Sequence, residues 1–252
     1  MFNFGGVSVD FLPDEAARAW VADGLTQHVQ RLGAPAQQPR LIEKSSHKPR
    51  DLDDLFELMC GVQAEVGQSD VEFSLVELGP DEKPPADYAA LGDPEGHMMH
   101  TLVRGDEYAV IVVPALFKVP ELVFAGVARE LGRMAIHRAG GHAVDPRDVE
   151  GDTELAGVAL GMGVWLANGA YVYENGCCGG GCGIDLKSLR AGLSMPEACF
   201  ALAIDSQRKG ISRRVALRHL EPNQRGALKQ SWGHVKRQPA LVAATETAAL
   251  PG

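Results

Sequence analysis

At 252 residues, 45% hydrophobic and 23% charged, the chain has the make-up of an ordinary globular protein with one core, or one core and a small appendage. No run of about 18 apolar residues marks a membrane span. The N-terminal MFNFGGVSVDFLPDE lacks the basic start and apolar centre of a secretory leader, and five cysteines do not resemble a disulfide scaffold, so a cytoplasmic protein is expected. The net charge of −9 is uneven: Arg208 to Arg237 holds nine Lys and Arg against Glu221 alone, a net +8, which leaves the remainder at −17.

Residues 4–12 (FGGVSVDFL) suit a short strand. Pro13, Asp14 and Glu15 then open a helix, since proline and acids favour a first turn. Trp20, Val21, Leu25, Val29 and Leu32 give it an apolar stripe, and Gly33 and Pro35 end it. Residues 34–50, rich in Pro, Gln, Lys and Ser, read as a linker or surface loop that separates an N-terminal region, 1–50, from a main domain over 51–240. Asp51 begins a second helix, with Leu52, Leu55, Phe56, Met59 and Val62 at helical spacing and Gly67 closing it. Val71 to Leu78 alternates as a strand does, a loop spans 79–96, and Met98 to Val103 suits another strand. Gly105-Asp106 signals a turn, and the apolar run Tyr108 to Val113 predicts a central strand.

Pro120 to Gly140 predicts a buried helix with an unusual centre, Ala128-Arg129-Glu130-Leu131-Gly132-Arg133. With histidine in place of both arginines it would read AHELGH, an H-E-x-x-H zinc-peptidase helix, in which two histidines one turn apart bind the metal and the glutamate activates its water. Arginine keeps the spacing but has no lone pair to give a metal. After a polar connection over 142–150, Asp152 or Thr153 starts a long helix, TELAGVALGMGVWLANGA, that is apolar nearly all round and therefore buried. Gly157, Gly161 and Gly163 each cost about 1 kcal/mol of helix propensity, which close backbone packing against the arginine helix would offset.

A glycine-rich loop covers 174–193. Ser194-Met195-Pro196-Glu197 is a capping box that leads a helix through Phe200, Leu202 and Ile204. Basic helices follow around 212–220 and 222–237, and 241–252 reads as a flexible tail.

The central motifs resemble those of bacterial zincin-type metallopeptidase-like proteins, in which a strand precedes an A-H-E-x-x-H helix and a second helix opens with an acidic ligand. Ala128 to Arg133 stands for the first motif; Thr153-Glu154-Leu155, Gly161-Met162-Gly163 and Ala167-Asn168 stand for the second. Ala198 to Ala203 and Leu220-Glu221-Pro222-Asn223 are also similar, and the likeness runs over roughly residues 50–237. It implies an α+β, zincin-like fold: a small sheet packed on the active-site-type helix, with further helices C-terminal. Arg129 and Arg133 then stand at the two histidine positions, Glu130 at the general base and Glu154 at the third ligand, with Glu150 one turn earlier. The resemblance thus implies a pseudoenzyme in which guanidiniums face carboxylates where zinc was held, since a buried arginine needs such a partner.

Other readings attach to the same residues. Arg129, Glu130 and Arg133 also fit a solvated helix face. Glu130, His137, His142 and Glu154 would make a shifted metal site, whereas a helix C-terminal histidine interacting with the dipole is the plainer account of His137. Cys177, Cys178 and Cys182 offer a metal or redox loop if Cys199 or a histidine joins them, or are simply free thiols. The basic segment holds Arg213, Arg214, Arg218, Arg225, Lys229, Lys236 and Arg237 but Trp232 as its only aromatic, and the pI is near 5.4. An acidic protein partner or a solvated face fits it better than nucleic acid. The expected function is a non-catalytic scaffold, regulatory or binding protein with a protein partner, no membrane and no cofactor. A hydrolase with relocated metal ligands and an anion or nucleic-acid binder acting through the basic helices are the competing classes.

Overall fold

The computed structural model describes residues 10–43, 45–79, 82–141, 149–175 and 189–247. Helix α1, Glu15–Leu32, starts where Asp14 accepts the N–H of Ala17 at 2.8 Å and ends at Gly33, whose φ of 60° is left-handed. Val21, Leu25 and Val29 turn inward as the stripe predicts. A short helix, α2, Ala34–Gln37, follows and holds Pro35, which the sequence had suggested as a breaker; proline is tolerated in a first turn. The expected linker or loop over 34–50 is pinned to the core. Ala36 and Ile42 are buried, Ile42 N donates to Gly161 O at 2.8 Å, and Trp165 Nε1 donates to Glu43 O at 3.0 Å. Its polar composition reports the outer side alone.

Asp51 caps α3, Leu52–Glu65, by accepting Asp54 N at 2.9 Å. Leu55, Met59 and Val62 are buried, but Phe56 stands 43% exposed, its ring 5.2 Å from that of Phe73. Four strands follow: β1, Phe73–Glu77; β2, Ala89–Ala90; β3, Met99–Arg104; and β4, Glu107–Val112. Their order is β1-β4-β3-β2, with β1 parallel to β4 and the other pairs antiparallel. The apolar β4 is internal, as its sequence predicts. The edge strand β2 falls within the expected loop, because two residues are too few to show alternation. The strand expected at 4–12 lies mostly outside the described residues, and Asp10 to Leu12 are not in a strand.

A 3₁₀ turn, Pro114–Lys118, leads into α4, Pro120–Arg138, the arginine helix. Every residue from Leu122 to Ile136 is buried. The next helix, α5, Val149–Gly157, begins before the expected Asp152 or Thr153 and is not continuous with α6, Gly163–Asn175. A π turn, Val158–Met162, joins them through Gly161 at φ 100°. Only glycine fits there on two counts: the backbone is left-handed, and a Cβ would lie 2.8 Å from Arg40 O. By length and composition Val149–Glu174 would cross a membrane, but this run is enclosed by the fold, as a core helix is.

Helix α7, Met195–Arg208, carries the predicted capping box: Ser194 Oγ accepts Glu197 N, and Glu197 Oε2 accepts Ser194 N at 2.8 Å. Helices α8, Arg213–Leu217, and α9, Pro222–Arg237, realise the basic stretches. The flexible tail expected over 241–252 is helical as far as Thr247, since Ala240–Thr247 forms α10, with Thr245 buried and its Oγ1 3.2 Å from Thr26 Oγ1; 248–252 lie outside the described residues. The architecture is α+β and mostly helical. The main apolar core runs from Val21 to Val235, and Leu102, Ala109 and Ile111 of the sheet form a smaller cluster apart from it. Helix α4 lies between β3 on one side and α5 and α6 on the other; α7 packs behind α6, and α9 behind α7.

Candidate functional site

The site is built from three glycine contacts. A Cβ on Gly132 would sit 2.4 Å from Thr153 O, one on Gly157 2.8 Å from Ala128 O, and one on Gly169 2.2 Å from the Ala125 Cβ. Backbone therefore meets backbone where α4 passes α5, and the Ala125 methyl seats against Gly169 where α4 passes α6. Of the three glycines predicted to serve this packing, Gly157 does; Gly161 lies against Arg40, and Gly163 against Leu202 of α7.

This close approach encloses a charged cluster. The side chains of Arg129, Glu130 and Arg133 are 1%, 0% and 2% exposed. Glu130 accepts Arg129 Nε on Oε1 at 2.9 Å, and on Oε2 it accepts Arg133 Nε, Thr101 N and Thr101 Oγ1, each at 2.9 Å. Thr101 lies on β3 just beyond the reach of the two-residue β2, so Glu130 serves a strand N–H that β2 is too short to cover. Arg133 Nη2 donates to Glu150 Oε2 at 2.6 Å and Nη1 to Leu91 O at 2.6 Å. Arg129 Nη2 donates to Met99 O at 3.1 Å, while its Nη1 lies 3.9 Å from Glu154 Oε1 and 3.5 Å from the Tyr173 hydroxyl. Glu154 also accepts Gly192 N at 3.2 Å and Leu193 N at 2.8 Å.

The electrostatics follow from burial and pairing. Burial opposes ionisation of Glu130, but Arg133 and Arg129 outweigh it and hold the carboxyl well below its usual range. Glu154 is the reverse case: burial pushes it up to about 7 against the pull of Arg129 and its two backbone donors. Two guanidiniums thus face Glu130, Glu150 and a third carboxylate that ionises near neutrality. The positive and negative charges nearly match, which is the condition under which buried charge is tolerated.

Arg129, Glu130, Arg133 and Glu154, singled out in the sequence, are brought together, and Glu150 joins them; none forms a solvated helix face. His137 does not point into the cluster's ion pairs. Its Nδ1 is 2.8 Å from the Tyr108 hydroxyl, with the rings edge to face. His142, Cys177, Cys178 and Cys182 lie outside the described residues. Cys199 is buried, its Sγ 3.6 Å from Gln224 O, and burial raises its thiol well above the ordinary value. Among the described residues, no group of three or more His, Cys, Asp and Glu is arranged to hold a metal ion.

Two further members went unread in the sequence. His97 Nε2 lies 3.5 Å from Glu150 Oε2, and the His100 ring stacks 6.0 Å from that of His97. Burial above all keeps both neutral, lowering His97 to about 3 and His100 to about 4. No local pattern marks them, since His97 lies just before β3 and His100 within it. Beside the cluster, a cleft of about 260 Å³ is lined by Leu91, Gly92, Arg133, His137, Asp152 and Thr153. Asp152 Oδ1 is 2.7 Å from Nε2 of the buried His28.

No family model, no curated protein and no solved structure matches this chain.

Proposed function

We propose that this chain is a non-catalytic scaffold, regulatory or binding protein on a zincin-like framework, in which an arginine–glutamate cluster takes the place of a metal and its histidines. The observation that carries the reading is the engagement of Glu130. At the position of a general base, both of its oxygens are committed to Arg129, Arg133 and Thr101, with no exposure to water. A base so held has no free lone pair directed at a substrate, and its arginine neighbours offer none to a metal. The residues present therefore do not fit a zinc site of this kind. Exposed cations on α8 and α9, among them Arg213, Arg214, Lys229 and Lys236, offer a face for an acidic protein partner.

Two experiments bear on this. Incubation of the purified chain with zinc and a protein substrate is expected to give no cleavage; zinc-dependent cleavage lost in Glu130→Gln overturns the non-catalytic reading. The framework is tested by the double variant Arg129→His, Arg133→His. Two positive charges leave the cluster, and one divalent zinc restores them, so the variant is expected to take up stoichiometric zinc and to gain thermal stability from it. Failure to bind zinc, in a variant shown by circular dichroism to be folded, overturns the zincin-like relation.

A second reading, a hydrolase with relocated ligands, draws on the cleft, where His137 and Asp152 share one wall. It requires stoichiometric metal in protein purified without an affinity tag, lost on His137→Ala or Glu154→Gln.

A further inference from the structure

A second buried charge cluster lies where α7 ends against the π turn. The side chains of Asp205, Arg208 and Lys209 are 1%, 4% and 1% exposed. Lys209 Nζ is 2.8 Å from Asp205 Oδ2 and donates to Ala159 O of the π turn at 2.8 Å. Arg208 Nη2 donates to Asp205 Oδ1 and, at 2.8 Å, to Ala36 O. Arg40 arrives from the segment after α2, packed so tightly on the turn that a Cβ at Gly161 would meet Arg40 O at 2.8 Å and its Cγ at 3.5 Å. Burial lowers the Lys209 ammonium, Asp205 opposes this, and the charges of Arg208 and Arg40 add to the lowering.

Arg208 and Lys209 therefore share one carboxylate, and Arg40 adds a third positive charge near Lys209 with no ion pair of its own to Asp205. Arg208 Nε and Arg40 Nη1 are buried without a hydrogen-bond partner. Cations at a helix C-terminus complement its dipole, which accounts for the choice of Arg208 and Lys209 at the end of α7. The dipole does not account for their burial, for a third cation from another segment, or for two idle guanidinium N–H groups. A buried charge excess is costly, and an unused guanidinium N–H adds to that cost. Arg40 as a whole is half-buried and follows the exposed Gln38 and Pro39, so the cluster lies beneath the surface at that point.

We propose that Arg40, Arg208 and Lys209 form a binding site for a phosphate-type oxyanion, which supplies the missing negative charge and the acceptors for the idle guanidinium N–H groups. Arginine suits such a ligand because its planar fork matches two oxygens at once. Asp205 sets the lysine and Arg208 in place and repels an anion, so affinity is moderate and the ligand exchanges.

The test uses the full chain in phosphate-free buffer, with ionic strength matched by chloride. Addition of about 10 mM inorganic phosphate is expected to raise Tm by about 2–4 °C. In Arg40→Ala, which removes a half-buried side chain, the rise is expected to fall below about a third of that, while Arg213→Ala in the exposed basic region keeps it whole. Calorimetric titration of the same phosphate into both variants reads binding directly, independent of any change in stability. O-phosphoserine is run in parallel: an Arg40-dependent shift with either ligand supports the site, and the larger response tells whether the anion arrives free or as an ester. A phosphate shift no larger than that of chloride, or one undiminished in Arg40→Ala, overturns the proposal.

Discussion

Among the described residues the protein buries two charge clusters, and they are solved differently. Around α4, Arg129 and Arg133 meet Glu130, Glu150 and Glu154, and the pairs interlock through shared oxygens. At the end of α7, Arg208 and Lys209 both pair with Asp205, and Arg40 adds its charge beside Lys209. The first is closed in charge: Glu130 spends both oxygens on partners within the fold, removing a charged member strands another, and the idle buried atoms are Glu150 Oε1 and ring nitrogens of the neutral His97 and His100. The second is open in charge, with guanidinium donors left over on Arg208 and on the half-buried Arg40. Matched charge reads as architecture, and mismatched charge reads as a place for something else to bind. The predictions below test that distinction, beginning where the largest loss is expected.

Glu130→Gln is expected to destabilise the protein by about 3–5 kcal/mol, because it leaves two buried guanidiniums short of a countercharge and turns an amide N–H₂ toward donors. Urea unfolding monitored by circular dichroism measures it. A loss below about 1 kcal/mol would show that water reaches the cluster and that it is not closed.

Gly132→Ala attacks the same cluster through its packing. The new methyl would lie 2.4 Å from Thr153 O, and backbone cannot yield as a side-chain tip does. A loss of about 3 kcal/mol is expected, at the upper end for an overpacked site. Gly163→Ala, where the nearest atom is a Leu202 methyl at 3.0 Å, is expected to cost less. Equal losses at the two positions would mean that the α4–α5 approach is not the tighter one.

Much of this framework was legible because single residues declare it. Ser194 caps the helix its capping box predicts, Asp14 and Asp51 stand as N-caps at the helix starts read from them, and the apolar run of β4 placed it inside the sheet. The charged spacing of Arg129, Glu130 and Arg133, with Glu154 opening a second apolar helix, was enough to gather four cluster members. What stayed hidden depends on contacts distant in sequence. Thr101 joins because β2 stops short, and His97 and His100 join because β3 lies against α4; no local pattern carries either fact. The break at Gly161 is set by Arg40, more than a hundred positions earlier, so a window over the apolar run reads one continuous helix. The second cluster was invisible for the same reason, since Arg40 sits in a stretch whose composition reads as a loop.

The third prediction concerns pH. His97 and His100 titrate at about 3 and 4 in the fold but near 6.5 when unfolded, so below pH 6.5 the unfolded chain binds protons that the folded chain refuses. Stability is then lost as pH falls from about 6.5 toward 4. Glu154, raised to about 7, acts in the opposite sense between about 7 and 4.5, where the folded state holds the extra proton. Two histidines against one carboxyl leave a net loss of about 1.4 kcal/mol per pH unit in that window. Below it, the depressed Glu130 continues the loss. Denaturant midpoints taken from pH 7 to 4.5 test the slope, and His100→Phe, which removes one titrating group, is expected to flatten it to near zero.

The smallest effect is the most discriminating. In phosphate-free buffer, Arg40→Ala removes a cation from a cluster that has too many, so stability is expected to change by less than about 1 kcal/mol, and any gain comes from relieved repulsion on Lys209. Arg129→Ala removes a cation from a matched cluster and is expected to cost several times more, because the buried Glu130 loses one of its two guanidinium partners and the buried Glu154 loses its guanidinium neighbour. The two substitutions are chemically identical, so only the surrounding charge balance separates their outcomes. If Arg40→Ala proved as costly as Arg129→Ala, the α7 cluster would be closed after all, with Arg40 holding a structural contact and no surplus charge left for an anion to neutralise.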